Sequence, residues 1–137
     1  MSFLLDTNVI SEMTRKRPSP RVQTWLESRG TETLFLSSIT LGELRKGALL
    51  TESPKRKALL DWIEKEVKPQ FDGRILVPDV AVMEKWADIQ SALQRHGKSV
   101  PVIDGILAAT AAAHDLTIVT RNIADFKLTG VRVQNPW

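Results

Sequence analysis

Phe3-Leu4-Leu5-Asp6-Thr7-Asn8, at the start of a 137-residue chain, decides how the rest is read. An apolar run stops abruptly at a carboxylate, followed by two small hydrogen-bonding side chains. Strands of a parallel sheet are covered on both faces, so they read as unbroken apolar runs. In open α/β sheets the ligand crevice lies outside the carboxyl ends of such strands. Asp6 is therefore expected on the rim of a site, although alone it also reads as a turn or helix cap. Further acids occupy comparable places: Glu43 after Leu34-Phe35-Leu36, Asp104 after Pro101-Val102-Ile103, and Asp125 after Thr117-Ile118-Val119-Thr120.

Outward from that stretch, helical and strand-like segments alternate, which predicts a parallel sheet covered on both faces. Ser19-Pro20 reads as an N-cap followed by proline at the first helical position, and Val22, Trp25 and Leu26 supply an apolar face. Residues 33–37 form the expected second strand. Thr40 is a candidate cap for a helix running to about Leu50. Ser53-Pro54 repeats the helix-start signal before an apolar stripe of Leu59, Leu60, Ile63 and Val67, and Pro69 is expected to stop that helix. Residues 74–77 read as a third strand. A helix from Val80 to His96 should turn Met83, Trp86, Ile89 and Leu93 inward and end at Gly97. The alanine-rich helix from Val102 to His114 can approach the sheet closely. Residues 116–120 and 131–133 read as the last strands, giving the order β-α-α-β-α-α-β-α-α-β-β.

Length and composition bound the function. A chain of this size suits one domain, spanning residues 1–137, with a core that needs no staples. Cysteine is absent, which excludes disulfides, thiolate metal sites and cysteine nucleophiles. No apolar run approaches the roughly 18 residues of a membrane span, and no basic segment leads into a signal core. The expectation is a soluble, cytoplasmic protein without membrane contact. The net charge of +3 is mild, so it permits a polyanionic partner without requiring one. Basic residues gather at Arg15-Lys16-Arg17, Arg45-Lys46 and Lys55-Arg56-Lys57, with Arg121 beside the last acidic motif.

Asp6, Glu43 and Asp104 lie far apart in sequence, so only the fold can unite them. Right-handed crossovers bring the carboxyl ends of successive parallel strands to one edge. Clustered carboxylates repel unless they hold a proton or a cation. Oxygen ligands with neither cysteine nor nearby histidine favour a hard ion such as Mg²⁺ or Mn²⁺. The chemistry that follows is metal-assisted phosphodiester cleavage, with no covalent nucleophile. Simpler roles compete. Thr40-Leu41-Gly42-Glu43 fits a capping box, in which the glutamate satisfies a backbone N–H. Asp104 in a first helical turn gains from the helix dipole in any case. His96 and His114 sit near helix ends, where a structural role is expected. The tryptophans fall mostly at core spacing, leaving Trp137 open to tail docking or an interface.

Four stretches together resemble the motifs of PIN-domain ribonucleases. They are Leu4-Leu5-Asp6-Thr7-Asn8-Val9-Ile10-Ser11, Ser38-Ile39-Thr40-Leu41-Gly42-Glu43-Leu44, Asp104-Gly105-Ile106-Leu107-Ala108-Ala109-Thr110-Ala111 and Val119-Thr120-Arg121-Asn122. The VapC-type toxins of bacterial toxin–antitoxin pairs are the nearest kind, and the Asn135-Pro136-Trp137 ending resembles their FitB-like branch. The resemblance implies a three-layer α/β/α sandwich with a mostly parallel central sheet, acting as an Mg²⁺- or Mn²⁺-dependent endoribonuclease on an RNA substrate. It also implies a homodimer within a larger complex, held by a cognate antitoxin through which any DNA contact is made. By position, Asp6, Glu43 and Asp104 form the metal site, while Thr7 and Thr120 orient a ligand or water. Many relatives carry a fourth acid where this chain has Asn122, which adds no charge; Asp125 is the alternative fourth group. A catalytically quiet PIN-like module that binds RNA or protein is the competing expectation. A phosphotransfer domain is less well matched, because Asn8 stands where a phosphatase of that kind needs a second aspartate.

Overall fold

The computed structural model describes all of residues 1–137. Five short strands form one sheet: β1 (Phe3–Leu5), β2 (Leu34–Ser37), β3 (Ile75–Leu76), β4 (Thr117–Val119) and β5 (Val133–Gln134). Their spatial order is β3-β2-β1-β4-β5, and every neighbouring pair is parallel. β1 is thus central, with Phe3 in register with Leu34 on one side and Thr117 on the other.

Side-chain alternation along the strands sorts the core into two layers. Phe3 and Leu5 face one apolar cluster, together with Leu34, Leu36 and Val119. Leu4 and Ile118 face the other. The first layer is closed by α1 (Thr7–Glu12), α2 (Pro20–Glu27), α3 (Ser38–Leu49) and α4 (Lys55–Trp62), whose apolar stripe continues through Ile63 and Val67 to Phe71. The second is closed by α6 (Val80–Arg95), α7 (Val102–Ala113) and α8 (Ile123–Leu128). Ala108 and Ala111 of α7 are fully buried in the second cluster, so their small side chains do allow close approach to the sheet. The expected three-layer sandwich is present, and no helix is long and apolar enough to cross a membrane.

Several local expectations fail. Pro69 does not end its helix: backbone after α4 widens into a π-helical stretch, Ile63–Val67, and continues as α5 (Lys68–Gln70). A proline ring crowds the carbonyl four residues back, and a wider turn relieves that crowding. Met83 is 36% exposed, while Val82 takes the inward position on α6. Thr40 does not cap α3. Ser37 does, its Oγ accepting the Ile39 N–H at 3.1 Å, which leaves Thr40 buried within the first turn. Asp125 lies in helix α8, anchored by the buried Phe126, between two strands that the expected order of elements joins without a helix. The last strand begins two residues later than expected, at Val133.

Candidate active site

β1 pairs with β2 on one side and β4 on the other, so the carboxyl ends of these central strands open a crevice where the chain order reverses. Asp6 leaves β1 and caps α1, its Oδ1 accepting the Thr7 N–H at 2.7 Å. The cap role and the site role therefore coincide. Its second oxygen accepts from the buried Thr120 hydroxyl, at the end of β4, also at 2.7 Å. Thr7 turns its own hydroxyl to Glu43 Oε1 at 2.6 Å. Because α3 starts at Ser38 rather than after Thr40, Glu43 lies in its second turn, clear of any capping box.

The other wall of the crevice comes from α7 and α8. Asn122, between β4 and α8, donates through Nδ2 to Asp104 Oδ2 at 3.2 Å and Asp125 Oδ2 at 3.1 Å. Carboxylates only accept, so the amide must present its nitrogen to both, and its carbonyl oxygen stays available. The Asn122 backbone N–H donates to Thr120 Oγ1 at 2.9 Å, closing a chain of contacts from Glu43 through Thr7, Asp6 and Thr120 to Asp104 and Asp125. Asp6, Thr7, Glu43, Asp104, Thr120, Asn122 and Asp125 are thus joined in one network, including both candidates for the fourth position.

Asn8 was missed. Its Nδ2 reaches Thr120 Oγ1 at 3.2 Å and Asp6 Oδ2 at 3.4 Å, and its Oδ1 accepts the Arg121 N–H at 3.4 Å. It splints the ends of β1 and β4. The only signal available in the sequence was its place in the polar triplet that ends the first apolar run. Glu12 is a buried acid outside the site, where it accepts the Ser19 N–H at 2.9 Å and so holds the entry to α2. His96 and His114 stand as C-caps of α6 and α7, away from the network.

The electrostatics show an acidic cluster under strain. Burial raises the Asp6 carboxyl above its ordinary value, against the Thr120 and Thr7 hydrogen bonds that lower it, with a further upward push from Glu43. Asp104 is pushed up to about 6, first by burial and then by the charges of Asp6, Asp125 and Glu43. Four carboxylates that feel one another in a cleft are a donor set for a hard cation. No three of them stand at ligating spacing around one point.

Residues 3–130 match the PIN domain family. The chain belongs to that family. Among its relatives, Toxin FitB of Neisseria gonorrhoeae is 46% identical over 136 residues, covering 98% of each chain. The VapC ribonuclease Y4jK of Sinorhizobium fredii is 38% identical, over 98% of this chain and 97% of its own. Among solved structures, that of FitAcB from Neisseria gonorrhoeae superposes with a TM-score of 0.94 at 44% identity, covering 98% of both chains. This PIN domain therefore aligns with those proteins over 98% of its length.

Proposed function

We propose that this PIN domain is the toxin of a toxin–antitoxin pair and an endoribonuclease that hydrolyses RNA phosphodiester bonds with Mg²⁺ or Mn²⁺. The observation that carries the reading is the hydrogen-bonded convergence of Asp6, Glu43, Asp104 and Asp125 at the edge of the sheet, with Asp104 pushed up to about 6 by burial and then by its neighbours' charges. The names of the relatives, a toxin and a ribonuclease, point the same way.

Asp6, Glu43 and Asp104 would hold the cation, one or two of them directly and the rest through water, because no three of the carboxylates stand at ligating spacing. When bound, the cation supplies positive charge against the phosphate oxygens and a more acidic water. The chain's own residues do the positioning. Thr120 and the Thr7 N–H fix both oxygens of Asp6, so the carboxylate cannot rotate out of the crevice. Thr7 fixes one oxygen of Glu43 and leaves the other to orient a water. Asn122 holds Asp104 beside Asp125 without adding a fifth negative charge. Attack by that water on phosphorus, in line with the departing ribose oxygen, forms one P–O bond as the other breaks. Glu43 or Asp104 takes the water's proton, the departing oxygen is protonated from solvent, and no covalent enzyme intermediate is needed.

The partner implied is a cognate antitoxin, since the similar solved structures are of FitAcB and of FitAB bound to DNA. Any DNA contact is assigned to that partner. The toxin itself is inferred to be a homodimer, which sedimentation of the partner-free protein would show as twice the chain mass.

The test is incubation of purified, partner-free protein with structured RNA and Mg²⁺ or Mn²⁺, beside EDTA and Asp104→Asn controls. Discrete products that require both metal and Asp104 are expected. Equal cleavage by folded Asp104→Asn protein, or by parent protein in EDTA, would defeat the proposal.

A further inference from the structure

The last residues of the chain carry an arrangement that this chemistry leaves unused. β5 runs parallel to β4, and the Thr120 N–H donates to the Gln134 carbonyl at 3.0 Å. The chain leaving β5 therefore emerges at the same edge of the sheet as Asp6 and Thr120. Pro136 is buried there, and Trp137 packs against the first apolar cluster while its N–H donates to Asn135 Oδ1 at 3.0 Å. The guanidinium carbon of Arg121 sits 5.1 Å from the centre of the Trp137 ring.

Arg121 is fixed at its backbone as well. Its N–H donates to Asn8, and its neighbours Thr120 and Asn122 bond Asp6, Asp104 and Asp125. The exposed guanidinium itself has no ion-pair partner: the three ion pairs of the molecule are at Glu12, Glu64 and Asp115. Packing over an indole restrains the side chain, and with no ion-pair partner its N–H donors remain free. Their fork matches the two oxygens of a phosphate, and restraint before binding lowers the entropy lost on contact.

We propose that Arg121, held over the Trp137 ring, grips an RNA phosphate next to the one being cleaved, with Trp137 as a positioning residue. The proposal rests on the nuclease reading above. RNA is favoured over an acidic peptide because Arg121 stands in the chain between Thr120 and Asn122, which bond the carboxylates where a phosphodiester must lie to react.

The test is binding of a labelled, mixed-sequence single-stranded RNA to Asp104→Asn protein across a salt series, with Arg121→Ala, Trp137→Ala, Trp137→Phe and the Arg121→Ala/Trp137→Ala pair built on it. One lost phosphate contact should lower the slope of log affinity against log salt by about 0.7. Arg121→Ala is expected to show that loss with several-fold weaker binding, and Trp137→Ala a smaller weakening. The pair should be no worse than Arg121→Ala, because Trp137 acts through the arginine. Trp137→Phe keeps an aromatic face and should stay near the parent. Arg121 is exposed, so its truncation tests the idea independently of any folding defect at Trp137. An unchanged salt slope in Arg121→Ala, while the parent binds, overturns the clamp and leaves the nuclease standing. A parent that neither binds RNA nor, with Asp104 restored and metal added, cleaves it defeats both readings.

Discussion

At Asp104, burial and three like charges work against ionisation, pushing the carboxyl up to about 6 from an ordinary 3.8. Between those values the folded chain holds a proton that the unfolded chain has released, so stability falls as pH rises through that window. Asp104→Asn removes the penalty and can still accept from Asn122. In urea titrations of metal-free protein it should be more stable above pH 6 by about 1 kcal/mol, allowing for partial solvent screening. Below about pH 4 the difference should vanish. A gain that persists there, or none near neutrality, would contradict the mutual repulsion of the carboxylates. Thr7→Val tests positioning instead. It preserves shape but removes the 2.6 Å bond to Glu43. Support of this kind around a metal ligand is worth about 10- to 100-fold, so kcat should drop by that factor while the melting temperature barely moves.

Among the elements, the pair α6 and α7 sets where Asp104 stands, and its spacing depends on one glycine. A Cβ on Gly105 would lie 3.2 Å from Trp86 Nε1 and 3.4 Å from its Cδ1. Gly105→Val should force the helices apart and cost about 1–3 kcal/mol of unfolding free energy, measured by denaturant titration. Stability equal to the parent would mean that Trp86 swings aside freely. The same scale shows what could be read from the chain beforehand. β1 and β4 announced themselves as apolar runs ending in polar side chains, and α7 by its alanines. α8 did not, because six residues with one buried phenylalanine carry no measurable period. The π-helical stretch was invisible for a related reason: its apolar residues Ile63 and Val67 keep ordinary helical spacing, so only the proline hinted at trouble. Asp6 and Asp104 were legible as residue types at a strand end and a first helical turn, and Glu43 as an acid following the second strand, though it lies a turn deeper in its helix than a capping box would put it. The ties among them were not, since Thr120 and Asp6 meet across 114 positions of sequence.

For the whole molecule, the decisive property is that like charges are gathered before any cation arrives. An ion that binds only the folded state stabilises it by mass action, adding about 2.7 kcal/mol at a hundred times its dissociation constant. Mg²⁺ or Mn²⁺ should therefore raise the melting temperature of the parent in a concentration-dependent way, and EDTA should reverse the rise. Asp104→Asn should lose most of the effect. Equal upward shifts in parent and variant would place the ion elsewhere.

The division of the carboxylates between the two layers has a practical corollary. Residues 1–77 carry Asp6 and Glu43, while Asp104, Asn122 and Asp125 all follow the connection from Val77 to Asp79, where Val77 is 56% exposed. Cutting the chain there would yield two fragments, each holding only part of the catalytic set and each harmless to a cell. Neither would have a complete sheet, because β1 finds β4 only on the other piece. Fused to two interacting proteins, the halves would become a split reporter whose signal is RNA cleavage on reunion.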